Sequence, residues 1–406
     1  MIIEPGIVKE VSIRALWQSN YAKHEEVYHT KINLWREATL FPKEITRFLC
    51  EGMTGECLEI NFKRGHLFPN SKDLIYEIDP RYNFNPPDSH RSIKLRLGRF
   101  YPLGFFKNLR GIYGGNPYPG RIIAINGEKS KMLLDANVPL SYYDVTLCFT
   151  IREVLRKESE LGGRCRDHIE EALRVGPGMQ TRYDHVPTDF GLEERETFQR
   201  LDESDDTLFY QEPRLVGHID RVCHEALLNY YGRILSPKGK ILDLMSSYES
   251  HLPPLGEYEV IGLGINEEEL KANPQLTEYL VKDLNKDPTL PFESETFDAV
   301  LCDLSIEYVI RPIELLQEVK RVLKKGGLAT FSFSNRYFPT KVIKLWVDLH
   351  EFERMGYVLE LMIRTGFRDL HTFSLRGLPR PKDDRWITYT PFADPLYVVW
   401  GKKDEG

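Results

Sequence analysis

Residues 239–254 read GKILDLMSSYESHLPP, and the fold of the C-terminal half turns on them. Residues 240–244 form a short apolar run that carries Asp243 near its end, the pattern of a buried strand delivering a carboxylate. A ligand-binding strand of this kind ordinarily continues into a turn with two or three glycines, which let backbone approach a ligand closely. Here the turn is Met245, Ser246, Ser247 and Tyr248. The stretch is either a site that has exchanged glycines for hydroxyls or a strand that only resembles one.

Its neighbours decide. From residue 208 onward, strand-like and helix-like runs alternate, the signature of a parallel α/β sheet. A helix is expected over 212–234, then strands at 240–244, 258–263 and 297–303. The segment PIELLQEVKRVLKK follows, with Ile313, Leu316, Val319, Val322 and Leu323 at helical spacing and a Gly326–Gly327 stop. LATFSFS reads as a further strand, 340–365 as a helix, and LHTFSLR and PLYVVWG as two late strands.

The chain has 406 residues, 41% hydrophobic and 28% charged, which implies two globular domains with sizeable cores. Net charge is -7 and no basic block occurs, so nucleic acid is not an expected partner. The six cysteines, at 50, 57, 148, 165, 223 and 302, form no CxxC pair. That argues against a zinc site or a disulfide framework and fits a reducing compartment, and no metal ligands are expected. The first residues do not read as a signal peptide, and no run approaches a membrane span. Cytoplasm is the expected location, with the nucleus as the alternative.

Up to residue 157 the grammar differs. CLEINFK, SIKLRLG, RIIAING, KMLLDA and VTLCFTIREV read as short strands, with a hairpin turn at Asn126–Gly127 and one helix, PKEITRFLCEG, closed by Gly52. Between 158 and 207 the pattern loosens around a short helix at 167–175, so this stretch reads as a connecting segment. The expected division is 1–157, 158–207 and 208–406.

The C-terminal half resembles class I S-adenosylmethionine-dependent methyltransferases of the methyltransferase-11 type. KILDL matches the first strand with its acid, and VIGLGINEEEL the second strand and its helix. VKDLNKDPTLPFESETFDAVLCDLSIEYV matches the cofactor-edge loop and fourth strand, and EVKRVLKKGGLATFSFSN the next helix and strand. The resemblance implies a Rossmann-like α/β domain with a seven-stranded sheet, and S-adenosyl-L-methionine as cofactor. It places Asp243, Met245, Ser246 and Ser247 at the methionine end and Asp283 and Leu284 at the adenine, walled by Leu290, Pro291 and Phe292. Asp303 stands at the end of the fourth strand. Tyr210, Arg214 and His218 fall near the entrance, with Arg214 as partner of the cofactor carboxylate.

Each assignment has a plain alternative. Asp243 would equally cap the next helix, Asp283 close a loop turn, and Arg214 pair with Glu212 or Asp220. The acid that usually holds the ribose is replaced by Gly264, and Asn266 is the nearest polar substitute. On the acceptor side, Tyr308, Asn335 and Arg336 are the candidate catalytic residues, with Glu307 and Tyr337 beside them.

The N-terminal half resembles FKBP-type peptidyl-prolyl isomerases. The resemblance lies in LFPKEITRFLCEGMTGECLEINFKRGHLF and in KSKMLLDANVPLSYYDVTLCFTIREV, where Asp135, Asn137, Val138, Pro139 and Leu140 stand for an acid–Asn–His–Pro–Leu turn with Val in place of His. It implies an α+β, mainly β, domain. The two resemblances together imply methyl transfer to a small-molecule thiol or hydroxyl, or to a protein. The alternative is an FKBP-like chaperone or binding protein whose methyltransferase fold is silent.

Overall fold

The computed structural model describes residues 4–90, 93–127, 130–160 and 162–405. They fall into two compact units, one built from residues 1–189 with 375–378 and the other from 190–374 with 379–406. The stretch 158–207, expected as a connector, is thus shared between the units.

In the first unit the chain starts as a long antiparallel hairpin, β1 (Ile7–Gln18) with β2 (Ala22–Asn33), paired from Val8↔Asn33 to Gln18↔Lys23. After β3 (Cys57–Phe62), β4 (Ile75–Ile78), β5 (Phe100–Pro102), β6 (Pro119–Asn126) and β7 (Lys131–Asp135), it returns in β8 (Val145–Arg156). β8 pairs antiparallel with both β1 and β3. One core packs Val11, Ile13, Ala15 and Phe149 against Ile45 and Leu49 of the helix Lys43–Glu51. The strands between β3 and β8 make a second sheet, in the order β4-β7-β6-β5, over a core of Ile78, Tyr101, Phe106, Ile122 and Leu134. β6 and β7 are the hairpin that Asn126–Gly127 announced.

SIKLRLG is not a strand. Ser92 lies outside the described residues, and 93–98 run without regular structure. Ile93 and Leu95 pack on the second core, while the Arg96 amide donates to the Tyr101 hydroxyl at 2.9 Å in place of a ladder bond.

The second unit adds β9 (Lys238–Leu244), β10 (Glu257–Gly264), β11 (Glu278–Val281), β12 (Phe297–Asp303), β13 (Leu323–Phe333), β14 (Arg368–Arg376) and β15 (Leu396–Lys402). They lie in the order β11-β10-β9-β12-β13-β15-β14. β9 to β13 are all parallel, whereas β15 runs antiparallel to β13. β9 and β12 read as nearly unbroken apolar runs because both faces of a central parallel strand are covered. The order reverses between them, and in open α/β sheets ligands bind beyond the carboxyl ends of the strands at that reversal.

Three helix boundaries differ from the sequence reading. The helix expected over 312–325 is Pro312–Val322, and residues 323–327, the expected stop included, already belong to β13. The helix before β9 is Arg221–Ile234, not 212–234. Residues 211–220 run as bends without regular structure, and Asp220 caps the helix by accepting from the Cys223 amide. The expected 340–365 helix is split into Lys344–Asp348 and Glu351–Arg364. His350 caps the second piece, accepting from the Phe352 amide.

Candidate functional site

A cavity of about 750 Å³ opens where the carboxyl ends of β9, β10 and β12 meet. β9 delivers Asp243, which is buried, and its Oδ2 accepts from Ser246 Oγ and Ser250 Oγ, both at 2.5 Å. Burial pushes its carboxyl up to about 7, although the two hydroxyls pull the other way and the nearby Asp303 adds to the rise. The Ser246 hydroxyl, expected together with Ser247 at the cofactor, is thus bonded to Asp243.

The turn after β9 solves its lack of glycine by strain. Met245 sits at φ 57°, in the left-handed region, and Leu304 after β12 at φ 52°. Both line the cavity, where two strand ends turn sharply away from the sheet. Across from Met245, a Cβ on Gly264 would lie 2.2 Å from the Ser246 carbonyl oxygen. The position that usually bears an acid cannot bear any side chain while the turn keeps this path.

Asn266 does not substitute for that acid, and the expectation placed on it is corrected. It caps the helix Glu267–Ala272, its Oδ1 accepting from the amides of Glu268 at 2.9 Å and Glu269 at 3.0 Å. Its Nδ2 donates to the Tyr210 carbonyl at 2.8 Å and the Gln211 carbonyl at 3.2 Å. It is absent from the cavity wall. The acid that does reach the wall here is Glu269, which accepts from Ser247 Oγ at 2.8 Å and from the Arg214 amide at 2.7 Å. Sequence alone offered only three successive glutamates, with nothing to single it out.

Arg214 lies in an aromatic clamp, its guanidinium carbon 4.7 Å from the Phe209 ring, 5.5 Å from Tyr210 and 5.2 Å from Phe338. Its Nη2 donates to the Phe209 carbonyl at 3.0 Å, while its buried Nη1 has no partner among the described residues. An unsatisfied guanidinium nitrogen facing a cavity is a ready donor for an anion. At the other edge Asp283 closes a turn, its Oδ1 accepting from the Asn285 amide at 2.9 Å; its Oδ2 is 3.9 Å from Lys286 Nζ. The turn uses one oxygen, so the plain and the ligand-binding readings of Asp283 coexist. Leu284 lines the cavity beside it, whereas residues 290–292 do not; the Phe292 ring packs edge-on against Phe297 at 4.9 Å.

Residues 246–331 match the family model of the methyltransferase domain. The second unit carries a methyltransferase domain. Among curated proteins, malonyl-[acyl-carrier protein] O-methyltransferase of Marinomonas sp. (strain MWYL1) is 29% identical over 79 residues, 20% of this chain. This chain spans 28% of that relative's length. Solved structures with a likeness include a Thermotoga maritima SAM-dependent methyltransferase described as a possible histamine N-methyltransferase. It is 19% identical, covering 45% of this chain and 91% of the other, with a TM-score of 0.35. Another is a SAM-dependent methyltransferase from Aquifex aeolicus, 15% identical, covering 49% of this chain and 97% of the other, with a TM-score of 0.31.

The far side of the cavity is aromatic and cationic. Tyr308, Asn335, Arg336, Tyr337, Phe338 and Pro339 all line it. The Tyr308 hydroxyl accepts from the Phe338 amide at 2.8 Å, and burial beside Glu307 and Tyr210 holds it as the neutral phenol. It is therefore a hydrogen-bond donor and not a base. Asn335 is exposed at the rim, its Oδ1 accepting from Ser334 Oγ at 3.3 Å. Arg336 pairs with buried Asp394 at 2.8 Å. Asp394 also takes Arg380 at 2.7 Å and the Asp220 amide at 2.8 Å. Residues 379–394, which carried no motif in the sequence, thus bring Arg380, Trp386 and Tyr389 to the wall.

Asp303 accepts from Ser332 Oγ at 2.5 Å and from the Tyr231 hydroxyl through one oxygen, while the other has no partner among the described residues. Burial raises it to about 6. Glu307, expected to face the acceptor, is fully buried off the wall and raised to about 8 by that burial. Cys302 is likewise buried within β12.

Proposed function

We propose that this protein transfers a methyl group from S-adenosyl-L-methionine to a thiol or hydroxyl acceptor, either a small molecule or a protein side chain. The observation that carries the reading is that groups of opposite charge line one cavity. Asp243 offers a carboxylate and Arg214 an unpartnered Nη1, complementary to the ammonium and carboxylate of an amino acid. Asp283 and the Leu284 amide supply the acceptor and donor that an adenine edge needs.

When bound, S-adenosyl-L-methionine supplies an electrophilic methyl on a sulfonium. The chain's part is to hold the acceptor in line with it and keep water away. Tyr308 donates a hydrogen bond, Arg336, fixed by Asp394, carries positive charge at the wall, and Tyr337 and Phe338 give apolar cover. The aromatic lining favours a small acceptor over a polypeptide.

Calorimetric titration of the full chain with S-adenosylhomocysteine tests the reading. Micromolar binding that weakens in Arg214→Ala is expected; no heat at millimolar ligand would remove the enzyme reading and leave the silent-fold binding protein. The missing ribose acid favours that second reading, and Glu269 on the wall opposes it.

For the first unit, the FKBP-like reading stands as a proposal, supported by a cavity of about 620 Å³ beside the 135–140 turn. Phe100, Tyr142, Tyr143 and Tyr183 line it. A proline-isomerisation assay on the full chain, with a variant Tyr142→Ala, tests it. Nucleic acid and membranes are not proposed as partners; among the described residues no helix is long and apolar enough to cross a membrane.

A further inference from the structure

Beside the same cavity lies a cluster that the methyltransferase reading does not use, with two of its three members on the wall. His224, Glu249 and His251 each point one ligand atom into a common space, all within 4.8 Å of one another. His224 sits in the first turn of the helix Arg221–Ile234, which the Asp220 cap anchors. Glu249 and His251 flank Ser250, and Ser250 Oγ is tied to Asp243 at 2.5 Å and accepts from Asn273 Nδ2 at 2.9 Å. Two separately anchored segments therefore set the cluster.

The spacings are compatible with three ligands of one ion. His224 Nδ1 and His251 Nδ1 are 3.1 Å apart, which suits an N–H···N bond as well as two nitrogens on one metal. The nearest Glu249 oxygen is 3.6 Å from the same His224 Nδ1. That is too long for a hydrogen bond. It suits ligands sharing an ion, since bonds of about 2.0–2.1 Å at tetrahedral angles separate their atoms by roughly 3.3 Å. His251 is buried, so the cluster is shielded from solvent on that side.

We propose that His224, Glu249 and His251 form a binding site for a divalent transition metal, with zinc the best match to two imidazoles and one carboxylate. Glu249 and His251 line the cavity, so the remaining coordination positions open into it. Resting on the methyltransferase reading, the ligand class for that open side is the acceptor's thiol or hydroxyl, whose acidity a bound cation raises.

The test uses the full chain stripped with a chelator and titrated with Zn²⁺ by calorimetry, alongside Co²⁺ titration followed by visible absorption. One ion per chain is expected, with the strong visible bands of four- or five-coordinate Co²⁺. His251→Asn and Glu249→Gln should each weaken Zn²⁺ binding at least ~100-fold, beyond the loss a supporting contact produces. Glu249 is partly exposed, so its variant keeps the fold even where a buried histidine change does not. No stoichiometric uptake, or uptake unchanged in Glu249→Gln and His251→Asn alike, overturns the site. S-adenosylhomocysteine titrated into the same samples separates the two readings: cofactor binding without zinc uptake removes the metal site alone, and zinc uptake without cofactor binding upholds the site and removes its acceptor role.

Discussion

Asp243 shows how one side chain links titration to binding. In the free protein its carboxyl titrates at about 7, because desolvation outweighs two hydroxyl donors. A ligand ammonium favours the charged form, so binding releases a proton below that pH. The affinity for S-adenosylhomocysteine is expected to rise with pH toward about 7 and level off above it, by up to tenfold per unit on the acid side. Calorimetry across that range checks the slope. In Asp243→Asn the slope should flatten and affinity fall about 10–100-fold, the loss of one charge-assisted hydrogen bond. Met245 makes the second residue-scale case. A β-branched residue tolerates a left-handed conformation far less than methionine does. Met245→Val should therefore lower stability by roughly 1–3 kcal/mol in urea unfolding, while Met245→Gly, which adopts that conformation freely, should not. Equal effects would mean that the turn relaxes.

At the scale of elements, the segment 379–394 is held by charge and not by a ladder. Asp394 lies between Arg336 and Arg380, and it and Asp220, the cap of the helix before β9, each donate a backbone amide to the other's carboxylate. Removing one member of a buried charge group strands the others, which costs about 3–5 kcal/mol. Asp394→Ala should lose that much by denaturant unfolding and free Arg336 from the wall; Asp394→Asn should recover part of it. A change below ~1 kcal/mol would show that the network adds little. Element by element, legibility followed pattern strength. β9, β10, β12, β13, β14 and β15 were all readable, because buried strands are apolar and the turns between them are polar. The long hairpin β1–β2 was not read, since its sequence mixes charges at the rims with apolar residues inside. SIKLRLG alternated convincingly but lacked a partner edge. Tertiary packing decides such runs.

Over the whole molecule, buried acids set the response to pH. Asp243 and Glu307, at about 7 and about 8, are raised above their unfolded values near 4. The folded state then binds more protons than the unfolded one, so this contribution is present at low pH and lost as pH rises through the folded pKa values. His251 and His29, both lowered to about 4, act in the opposite sense, but only below about 6.5. Between about pH 6.5 and 8 the acids act unopposed by histidine. The midpoint of thermal unfolding of the ligand-free chain should fall across that window by a few degrees. Saturating S-adenosylhomocysteine should reduce the fall, since a cation beside Asp243 offsets its cost. A flat or rising midpoint in the ligand-free chain would contradict the assignment of these acids.

The sequence by itself determined the α/β order of the second unit, the acid at the end of its first strand and the apolar periodicity of its helices. These are local properties, written in spacing and residue type. Only the tertiary structure decided how Met245 replaces a glycine, why Gly264 admits no acid, and that Asn266 caps a helix while Glu269 reaches the wall. It alone brought His224 to Glu249 and His251, and 379–394 to Arg336. Those contacts join segments far apart in the chain, and their distances depend on the packing of whole elements, which no local pattern encodes.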